Sequence, residues 1–517
     1  MYTPLFVPAA NPPFNMARYC MGRSAAATPD KPALIVVLDP AANPSEVWTY
    51  ASLEDAVLRI AGALRELGLV PGDRVMIRLD NTSAYAILFF GAIAAGLVAL
   101  PASSQLTDRE ATFLAEDSGA SLIACHHAID TAHLTRAPIV LSPDDVARMM
   151  RESPRIDYAS THAEDPAFLI YTSGTTAHPK GVLHAQRAAL GRRPMYQGWY
   201  GITPDDRVLH AGAFNWTFTL GVGLTDPWAN GATALIYVGE KDPALWPRLV
   251  ERTEATLFAG VPGLMRQILK YADLSPSAMP TLRHGLIAGE APPASLFDEW
   301  TARTGRHLYE ALGMSEISTY ISTAPSVPRK PGTVGKAQAG RRVAILPVDG
   351  PDEPLPPDSD GLIAVHRSDP GLMLGYWNRP DEQAEVLRGA WFAGGDLGRM
   401  DADGYITHLG RNNEIMKALG YRVSPMEVEA VLAAHPAVAE VACAEIAVRA
   451  DVHVVGAFIV LKQGAQANTE AIDAFARERL AAYKCPREIR FVDALPRTAN
   501  GKIKRAALTT TVSNSEI

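Results

Sequence analysis

The chain has 517 residues, enough for about three or four domain-sized units. Its hydrophobic content of 48% and charged content of 20% are those of an ordinary globular protein with large cores. A net charge of −8 and an isoelectric point near 5.9 argue against a nucleic acid or an anionic membrane as a partner held by bulk charge. The four cysteines have no paired spacing, which predicts a reducing compartment and offers neither a zinc site nor a disulfide framework.

The longest apolar run, residues 84–100, is just short of a typical bilayer span. It is rich in alanine and glycine and ends at Pro101, so it predicts a buried helix that leads into a strand and no membrane span. The N-terminus lacks a basic segment followed by an apolar core, and the C-terminus carries no lipidation or organelle signal. We therefore expect a cytoplasmic protein.

The first part of the chain alternates predicted helices and strands. In chain order these are the amphipathic helix LEDAVLRIAGALRELGL, closed by Gly68, a strand at 74–79, the helix at 84–100, a strand near 97–101, a helix at 109–117 and a strand at 121–124. Such alternation implies a parallel sheet with helices on its faces. Residues 142–164 are polar and charged, and they predict a connection to the next strand.

The stretch 169–184 reads LIYTSGTTAHPKGVLH and carries the strongest functional signal in the chain. A buried-type strand at 167–171 runs directly into four hydroxyls, two glycines and a lysine. Glycines let backbone N–H groups approach a polyphosphate, hydroxyls donate hydrogen bonds, and the lysine supplies a cation. The lysine precedes its glycine, which excludes a Walker A loop. We predict a phosphate-binding loop followed by a helix at 182–190, with a solvated polar turn as the alternative.

Beyond the loop the pattern changes twice. The predicted elements are strands at 207–209, 232–238, 255–258 and 285–287, short β runs at 342–346 and 362–366, a helix at 425–435, strands at 438–444 and 452–461, and a helix at 469–480. The two short β runs predict a smaller antiparallel or barrel-like portion. The elements after about residue 414 predict a separate α+β domain of about a hundred residues.

Four further polar patches follow the loop: YEALGMSE at 309–316, GGDLG at 394–398, GRNNEIMK at 410–417 and PRTANGKIKR at 496–505. Each patch alone is typical of an ordinary turn. Together and in this order they make the chain resemble the adenylate-forming enzymes, the superfamily of acyl- and aryl-CoA synthetases, luciferases and peptide-synthetase adenylation domains. The resemblance spans roughly residues 48–505 and is greatest to small aryl- or short- to medium-chain acyl-CoA ligases.

The resemblance implies an ATP-dependent carboxylic acid–CoA ligase that works in two steps. A carboxylate attacks the α-phosphate of ATP and gives an acyl-adenylate and pyrophosphate, and the acyl group then passes to coenzyme A with release of AMP. The implied co-substrates are ATP, coenzyme A and a small-molecule carboxylic acid, with Mg²⁺ as the metal. The implied fold is α/β, with a large N-terminal domain (1–412) of layered sheets plus a small β-barrel-like portion, and a smaller mobile α+β domain (413–517).

The resemblance also implies the site residues, by their positions in the motifs. The expected ATP and AMP contacts are Thr172, Ser173, Gly174, Thr175, Thr176, Lys180, Gly289, Glu290, Ala291, Leu312, Gly313, Met314, Ser315, Asp396, Arg411 and Lys502. Thr172, Glu316 and Lys502 are the implied catalytic residues. Glu316 would hold Mg²⁺, and Lys502 would bridge the substrate carboxylate and the α-phosphate. Asp396 is expected to accept the ribose hydroxyls, and Arg411 to add charge-assisted contacts.

A domain movement is implied as well, because Lys502 lies in the small domain and the phosphate loop in the large one. In the family the small domain rotates after adenylation, here about a hinge at Asn413. The rotation would withdraw Lys502 and bring in a loop that lines the channel for the thiol. The expected channel residues are Lys417, Gly420, Tyr421 and Arg422.

The chain departs from the family pattern without losing an essential group. The hinge residue, commonly Asp, is Asn413, which still tolerates unusual backbone angles. Leu312 replaces an aromatic residue that stacks on adenine, and Ser315 replaces a threonine and keeps its hydroxyl. A non-catalytic nucleotide-binding homologue is therefore the least favoured alternative.

The expected acyl pocket comprises Phe214, Asn215, Trp216, Gly221, Gly260 and Val261. The bulky apolar side chains of Phe214, Trp216 and Phe218 favour a compact ring or a short branched chain over a long fatty tail, whereas the alternative is that they are plain core. The acid stays open between small aromatic or alicyclic and short- to medium-chain aliphatic acids.

Free coenzyme A is favoured as the acceptor because no carrier domain follows Lys502. The alternative is a stand-alone enzyme that loads an acyl carrier protein. A homodimer and regulatory acylation of Lys502 are two further alternatives that the sequence leaves open.

Overall fold

A computed structural model of the chain describes residues 12–127, 129, 131, 134–172, 179–414, 416–418, 421–449, 452–480, 482, 484–497 and 503–510. The strands are β1 (Pro32–Val37), β2 (Glu46–Thr49), β3 (Arg74–Arg78), β4 (Val98–Pro101), β5 (Leu122–Cys125), β6 (Ile139–Leu141), β7 (Pro166–Thr172), β8 (Lys180–Ala185), β9 (Arg207–His210), β10 (Thr233–Tyr237), β11 (Leu257–Gly260), β12 (His284–Ala288), β13 (His307–Met314), β14 (Ser318–Ser322), β15 (Lys336–Ala337), β16 (Val343–Leu346), β17 (Asp360–His366), β18 (Gly375–Tyr376), β19 (Leu387–Arg388), β20 (Trp391–Phe392), β21 (Asp396–Met400), β22 (Ile406–Arg411), β23 (Met416–Ala418), β24 (Tyr421–Val423), β25 (Val438–Arg449), β26 (Val452–Leu461) and β27 (Glu488–Phe491).

The α-helices are α1 (Arg23–Ala27), α2 (Tyr50–Glu66), α3 (Ser83–Ala94), α4 (Asp108–Ser118), α5 (Pro143–Glu152), α6 (Ala188–Gly191), α7 (Arg193–Met195), α8 (Thr217–Leu220), α9 (Asp226–Ala229), α10 (Trp246–Arg252), α11 (Pro262–Tyr271), α12 (Ala294–Thr304), α13 (Pro380–Val386), α14 (Pro425–Ala433), α15 (Thr469–Arg477) and α16 (Arg505–Thr510). Short 3₁₀ turns occupy Pro243–Leu245 and Asn412–Glu414, and π-helical turns occupy Arg18–Gly22, Tyr196–Tyr200 and Gly221–Thr225.

Two compact units make up the structure. The first comprises the chain up to Gly289 together with Ser295–Val343 and Val365–Phe392, and the second comprises Glu290–Ala294, Ala344–Ala364 and the chain from Ala393 onward. The predicted α/β fold, with a large portion of layered sheets and a smaller C-terminal portion, is confirmed. The predicted domain boundary at residue 412 and the hinge at Asn413 stay predictions.

Two large sheets form the first unit. One has seven strands in the order β18-β8-β7-β4-β3-β5-β6, and the other has nine in the order β15-β14-β13-β12-β11-β9-β10-β1-β2. Strands β13 to β1 along the second sheet are parallel, and β2, β14 and β15 at its ends are antiparallel. The parallel strands are buried on both faces, as β10 and β12 illustrate, because helices cover the sheet.

The second unit contains strands β21 to β27 and most of β16 and β17. Strand β21 pairs antiparallel with both β17 and β22, which accounts for the predicted antiparallel portion. Farther along the chain, β25 and β26 form a long antiparallel pair, and β27 joins β26 in parallel. Helices α14 and α15 bury Val428, Leu432, Ile472 and Ala476 in the core of this part, as the predicted α+β pattern requires.

The first helices follow directly from the sequence. Helix α2 begins at a capping box in which the Thr49 side chain accepts from the Ser52 N–H, and it ends before Gly68, whose φ is +83°. The apolar run forms α3, which is buried over nearly its whole length, and then strand β4. Among the residues that the structure describes, every helix is too short or too polar to cross a lipid bilayer.

Two sequence predictions are wrong. Residues 180–185 form strand β8 and not the start of a helix, because β8 pairs with β7 on one side and β18 on the other. This pairing outweighs the helix propensity of the residues that follow. The supposed connection at 142–164 contains helix α5, which the Ser142–Asp145 capping box begins and which buries Val146 and Met150.

Candidate active site

The two residues that flank the predicted phosphate loop lie opposite each other in the first unit. Strands β7 and β8 are antiparallel, and their last register pair before the loop joins Thr172 to Lys180. Both residues are half-buried. The loop residues Ser173, Gly174, Thr175 and Thr176 lie outside the described residues. The hairpin therefore fixes where the loop begins and where its lysine lies.

Lys180 contacts one side chain of strand β18 and one of helix α13. Its ammonium forms an ion pair with Oε2 of Glu382, and it lies 5.4 Å from the centre of the Tyr376 ring. The Lys180 and Glu382 side chains are 18% and 24% exposed, so water screens this pair only in part. A cation over a tyrosine face adds a further attraction.

Tyr376 also contacts the carboxylate expected to hold Mg²⁺. Its hydroxyl donates to Oε1 of Glu316 at 2.7 Å. Glu316 lies in the turn between β13 and β14, where its backbone carbonyl accepts from the N–H of Met373 at 2.8 Å. One tyrosine thus lies between the loop lysine and the carboxylate. Sequence reasoning missed both Tyr376 and Glu382, although the run GYWNRPDE that contains them is visibly rich in polar and aromatic residues.

A further set of hydrogen bonds holds residues 377–379, which follow β18. Arg379 donates to Oδ1 of Asp117 at 3.0 Å, and Tyr171 donates to the other oxygen of this carboxylate at 2.6 Å. The Nε1 of Trp377 donates to the Asp117 carbonyl at 2.9 Å. Burial and the Asp117 carboxylate raise the pKa of Tyr171, so its hydroxyl stays a proton donor. These bonds anchor the segment to the C-terminal turn of α4.

Ser315, the other motif hydroxyl, is held through its backbone. The carbonyl of Ser315 lies 2.8 Å from Nε2 of His184, which must carry the proton because a carbonyl only accepts. Burial lowers the pKa of His184 to about 4, so the ring is neutral near pH 7. Its buried Nδ1 has no hydrogen-bond partner among the described residues.

The preceding motif residues lie on strand β13. A Cβ at Gly313 would approach the Ser318 carbonyl oxygen to 2.5 Å, so the close pairing of β13 and β14 explains this glycine. Leu312 is half-buried, and Met314 is buried. The roles of Leu312, Gly313, Met314 and Ser315 toward the nucleotide stay predictions.

Glu316 fits a magnesium site of the kind that phosphates complete. Mg²⁺ prefers oxygen ligands and is commonly held by one or two carboxylates together with substrate phosphates and water. Within the described part of the chain, no group of three or more His, Cys, Asp or Glu side chains could hold a metal by itself. Magnesium binding by Glu316 together with substrate phosphates stays a prediction.

The second unit contains the residues expected at the ribose. Asp396 begins β21 directly opposite Arg411 on β22, and Arg411 Nε lies 3.1 Å from Oδ1 of Asp396. His408 Nε2 lies 3.1 Å from the same oxygen, and sequence reasoning missed this histidine. Arg411 also donates to the carbonyl of Gly394 at 2.5 Å. The carboxylate is 6% exposed, so it is a fixed acceptor braced by two cationic or donor groups.

The segment 289–291, which the resemblance to the family implies lies against the adenine of ATP, follows β12. Gly289 has a φ of +96°, which only glycine adopts at little cost, and it therefore turns the chain out of the sheet. Gly289 and Ala291 are exposed, and Glu290 is half-buried. The contact of these three residues with adenine stays a prediction.

The residues expected in the acyl pocket differ in their burial. Phe214 is 3% exposed, its ring lies 5.5 Å from that of Tyr85, and its N–H donates to the Asn81 side chain. These contacts favour the plain-core alternative for Phe214. Asn215 and Trp216 are half-buried in the turn before α8. Gly260 ends β11, and Val261 precedes α11. Their contact with an acyl group stays a prediction.

The need for glycine at position 221 has a structural explanation that does not involve a substrate. A Cβ there would overlap the guanidinium of Arg192, whose nearest atom would lie 1.9 Å away. Arg192 makes two 2.7 Å hydrogen bonds to Asp226, which also accepts from the Tyr200 hydroxyl at 2.5 Å. Both charges are buried and paired, as buried charges need to be. A small cavity of ≈ 30 Å³ that Arg192 and Gly221 line has room for water.

The remaining predicted residues belong to the second unit. Lys417 lies on β23 opposite Arg422 on β24, and Tyr421 begins β24. Asn413 lies in a 3₁₀ turn. Gly420 and Lys502 lie outside the described residues. The channel, hinge and adenylation roles of these residues therefore stay predictions.

Comparison with known proteins agrees with this geometry. Residues 21–377 match the family model described as AMP-binding enzyme, and residues 427–502 match that of the AMP-binding enzyme C-terminal domain. Over 480 residues the chain is 30% identical to 3-hydroxybenzoate–CoA ligase of Aromatoleum sp. (strain CIB), covering 89% of this chain and 91% of that protein. It is 32% identical over 480 residues to benzoate–CoA ligase of Thauera aromatica, covering 89% and 90%.

A solved structure gives the same result. The anthranilate CoA ligase in complex with anthranoyl-AMP superposes with a TM-score of 0.85 at 27% identity, covering 96% of this chain and 97% of that chain. The likeness therefore extends over both compact units.

Proposed function

Because the chain belongs to the family of AMP-binding enzymes, we propose that it activates a small aromatic carboxylic acid and joins it to coenzyme A. Its reaction class is that of an AMP-forming acid–thiol ligase with ATP and coenzyme A as co-substrates. The names of the relatives specify coenzyme A, so a stand-alone enzyme that loads a carrier protein is not favoured.

The observation that carries this proposal is the hydrogen bond from Tyr376 to Glu316, with Lys180 over the same ring. A cation and a carboxylate lie around one tyrosine, at the described end of a loop rich in glycine and hydroxyl groups. Lys180 would bind the β- and γ-phosphates, and Glu316 would hold Mg²⁺. The metal, when bound, neutralises charge on the phosphate oxygens.

The chain's own residues have separate tasks in the first step. The substrate carboxylate attacks the α-phosphorus, a new C(O)O–P bond forms, and the bond to pyrophosphate breaks. Lys502 would orient the carboxylate and the α-phosphate, while Asp396 and Arg411 would fix the ribose. Such fixed donors and cations stabilise the charge that develops at phosphorus better than water can, because they need no reorganisation.

In the second step the thiol of coenzyme A attacks the acyl carbonyl, a thioester forms, and AMP leaves. Lys417, Gly420, Tyr421 and Arg422 would line the approach of the thiol. Its pantetheine arm carries a phosphorylated adenosine at its far end, so Arg422 would serve as a phosphate contact.

An aromatic substrate is supported by the curated relatives and by the pocket. The relatives act on 3-hydroxybenzoate and benzoate, and the structural neighbour holds anthranoyl-AMP. The half-buried Trp216 and Phe218 offer flat apolar contact area. The paired Arg192 supports a substrate without a second carboxylate, because Asp226 already neutralises this buried cation.

A pyrophosphate-release screen tests the proposal. The acids would be benzoate, 3-hydroxybenzoate, 2-aminobenzoate, cyclohexanecarboxylate, acetate and hexanoate, each with ATP, MgCl₂ and coenzyme A. We expect the highest kcat/KM for one of the benzoates and formation of its CoA thioester without any carrier protein. A preference for acetate or hexanoate would contradict the substrate class. The absence of pyrophosphate release with every acid would contradict the ligase itself.

A further inference from the structure

The carboxylate of Glu382 contacts the ammonium group of Lys180 in this structure. The two side chains form an ion pair, and both are more than three-quarters shielded from solvent. Lys180 is the cation that the proposed function assigns to the β- and γ-phosphates. A carboxylate oxygen thus lies where a phosphate oxygen would have to bind.

Glu382 is held in this position by its neighbours. Its Oε1 lies 3.8 Å from Nε of Arg379, and Arg379 is itself bonded to Asp117. On the opposite side, the N–H of Tyr376 donates to the side chain of Gln383 at 3.0 Å, which ties α13 to strand β18. The carboxylate therefore needs little ordering to meet Lys180, and it competes efficiently with a ligand.

We propose that Glu382 is an internal counter-ion of Lys180 that competes with the phosphates of ATP and pyrophosphate for this lysine. The inference rests on the proposed function, since it concerns the affinity of the same site for polyphosphate. Glu382 acts as a positioning residue, because it would work through Lys180 and not on the reacting atoms.

Competition of this kind has a direct consequence for turnover. When ATP binds, Lys180 exchanges one anion for another, so the net gain in binding is smaller than for a free lysine. When pyrophosphate leaves, Glu382 takes the lysine back. The ion pair thus weakens binding of the product pyrophosphate as well as of ATP, which favours release after the first step.

The test compares two charge-neutralising variants on the same short helix. Glu382→Gln removes the counter-ion, and Glu385→Gln removes an exposed carboxylate from the same helix. Binding of pyrophosphate and of ATP, each with MgCl₂ and without a carboxylic acid, is measured by titration calorimetry on the full chain. Both variants are repeated with Lys180→Ala, and the melting temperature is recorded for each. Glu382→Ala serves as a second variant should Glu382→Gln fail to fold.

We expect Glu382→Gln to lower the Kd for pyrophosphate about tenfold, and Glu385→Gln to change it less than about twofold. The effect of Glu382→Gln should vanish in the Lys180→Ala background. In steady-state assays the KM for ATP and the inhibition constant of pyrophosphate should both fall without a rise in kcat.

Three results would overturn the inference. If wild-type chain binds pyrophosphate and Glu382→Gln binds it no more tightly, there is no competition. If the tightening persists with Lys180→Ala, Glu382 repels the phosphates directly and does not act through the lysine. If the folded wild-type chain binds neither ATP nor pyrophosphate, the proposed function fails together with this inference.

Discussion

Arg505 donates from both terminal nitrogens to the carboxylate of Glu429, at 2.5 and 3.0 Å. Its Nε also lies 3.5 Å from the carboxylate of Glu414, the residue that directly follows the predicted hinge. Arg505 begins α16, and it follows Lys502 by three positions in the sequence. One guanidinium therefore connects α14, the residue after the predicted hinge and the helix that follows the predicted adenylation lysine in the sequence.

This connection predicts a selective loss in Arg505→Lys. Lysine keeps the charge but cannot make the two parallel hydrogen bonds to Glu429. Since a small displacement of a catalytic group costs much rate, we expect adenylate formation to fall about tenfold or more. Thioester formation from supplied acyl-adenylate should fall less. Arg477→Lys, an exposed arginine on α15, is the control that should change neither half-reaction. Equal losses in both half-reactions would contradict the prediction that Arg505 acts selectively through the position of Lys502.

The ribose site gives a prediction with a built-in control. Asp396→Asn removes the charged acceptor that Arg411 and His408 brace. We expect the KM for ATP to rise about ten- to hundredfold, because charge-assisted hydrogen bonds to the ribose are lost. Wild-type enzyme should prefer ATP to 2′-deoxy-ATP, and the variant should lose most of this preference. If the preference survives in Asp396→Asn, another residue accepts the ribose hydroxyl.

Local sequence patterns predicted the structure correctly where interactions between neighbouring residues determine it. The amphipathic pattern and the stop at Gly68 predicted helix α2 from a single stretch, although the helix begins earlier than predicted, at Tyr50 after the Thr49 cap. The order of the motifs was sufficient to identify the nucleotide chemistry, and the register of Asp396 opposite Arg411 agrees with their expected proximity.

Local sequence patterns did not predict the structure correctly where segments that are distant in the chain pair with each other. Strand β8 was mistaken for a helix because the residues after it favour a helix, and because its second partner, β18, lies far along the chain. For the same reason Tyr376 and Glu382 could not be assigned to the site of Lys180. His408 illustrates a third case: it is close to Asp396 only because the β21–β22 hairpin has an irregular register there.

Lys502→Ala should separate the two half-reactions. Loss of the cation expected between the carboxylate and the α-phosphate should lower pyrophosphate release by about a hundredfold or more. The variant should still convert supplied acyl-adenylate and coenzyme A to thioester. Lys504→Ala removes an exposed lysine two positions away and serves as the control. If both half-reactions fell together in Lys502→Ala, the predicted division between this lysine and the thiol channel would be wrong. Regulatory acylation of Lys502 would be expected to have the same selective effect, since it removes the same charge.

Glu310 predicts a pH dependence of stability that is independent of catalysis. This residue of β13 is 7% exposed, and burial raises the pKa of its carboxyl from 4.5 to about 8, with Arg329 opposing the shift. Between these two values the unfolded chain is ionised at this group while the folded chain keeps its proton. The folded state binds more protons there, so its stability falls as the pH rises through this window.

Each pH unit in the window should remove about 1.4 kcal/mol of the free energy of unfolding through this one group. Glu310→Gln has no proton to lose. Its melting temperature should therefore match that of wild type near pH 5 and exceed it increasingly up to about pH 8, where the pKa of the folded state lies. The difference should then level off. Scanning calorimetry of both chains at pH 5, 6, 7, 8 and 9 measures it, and all other titrating groups cancel in the comparison because they are common to the two chains. Parallel melting curves across this range would mean that Glu310 ionises in the folded protein as it does in the unfolded chain.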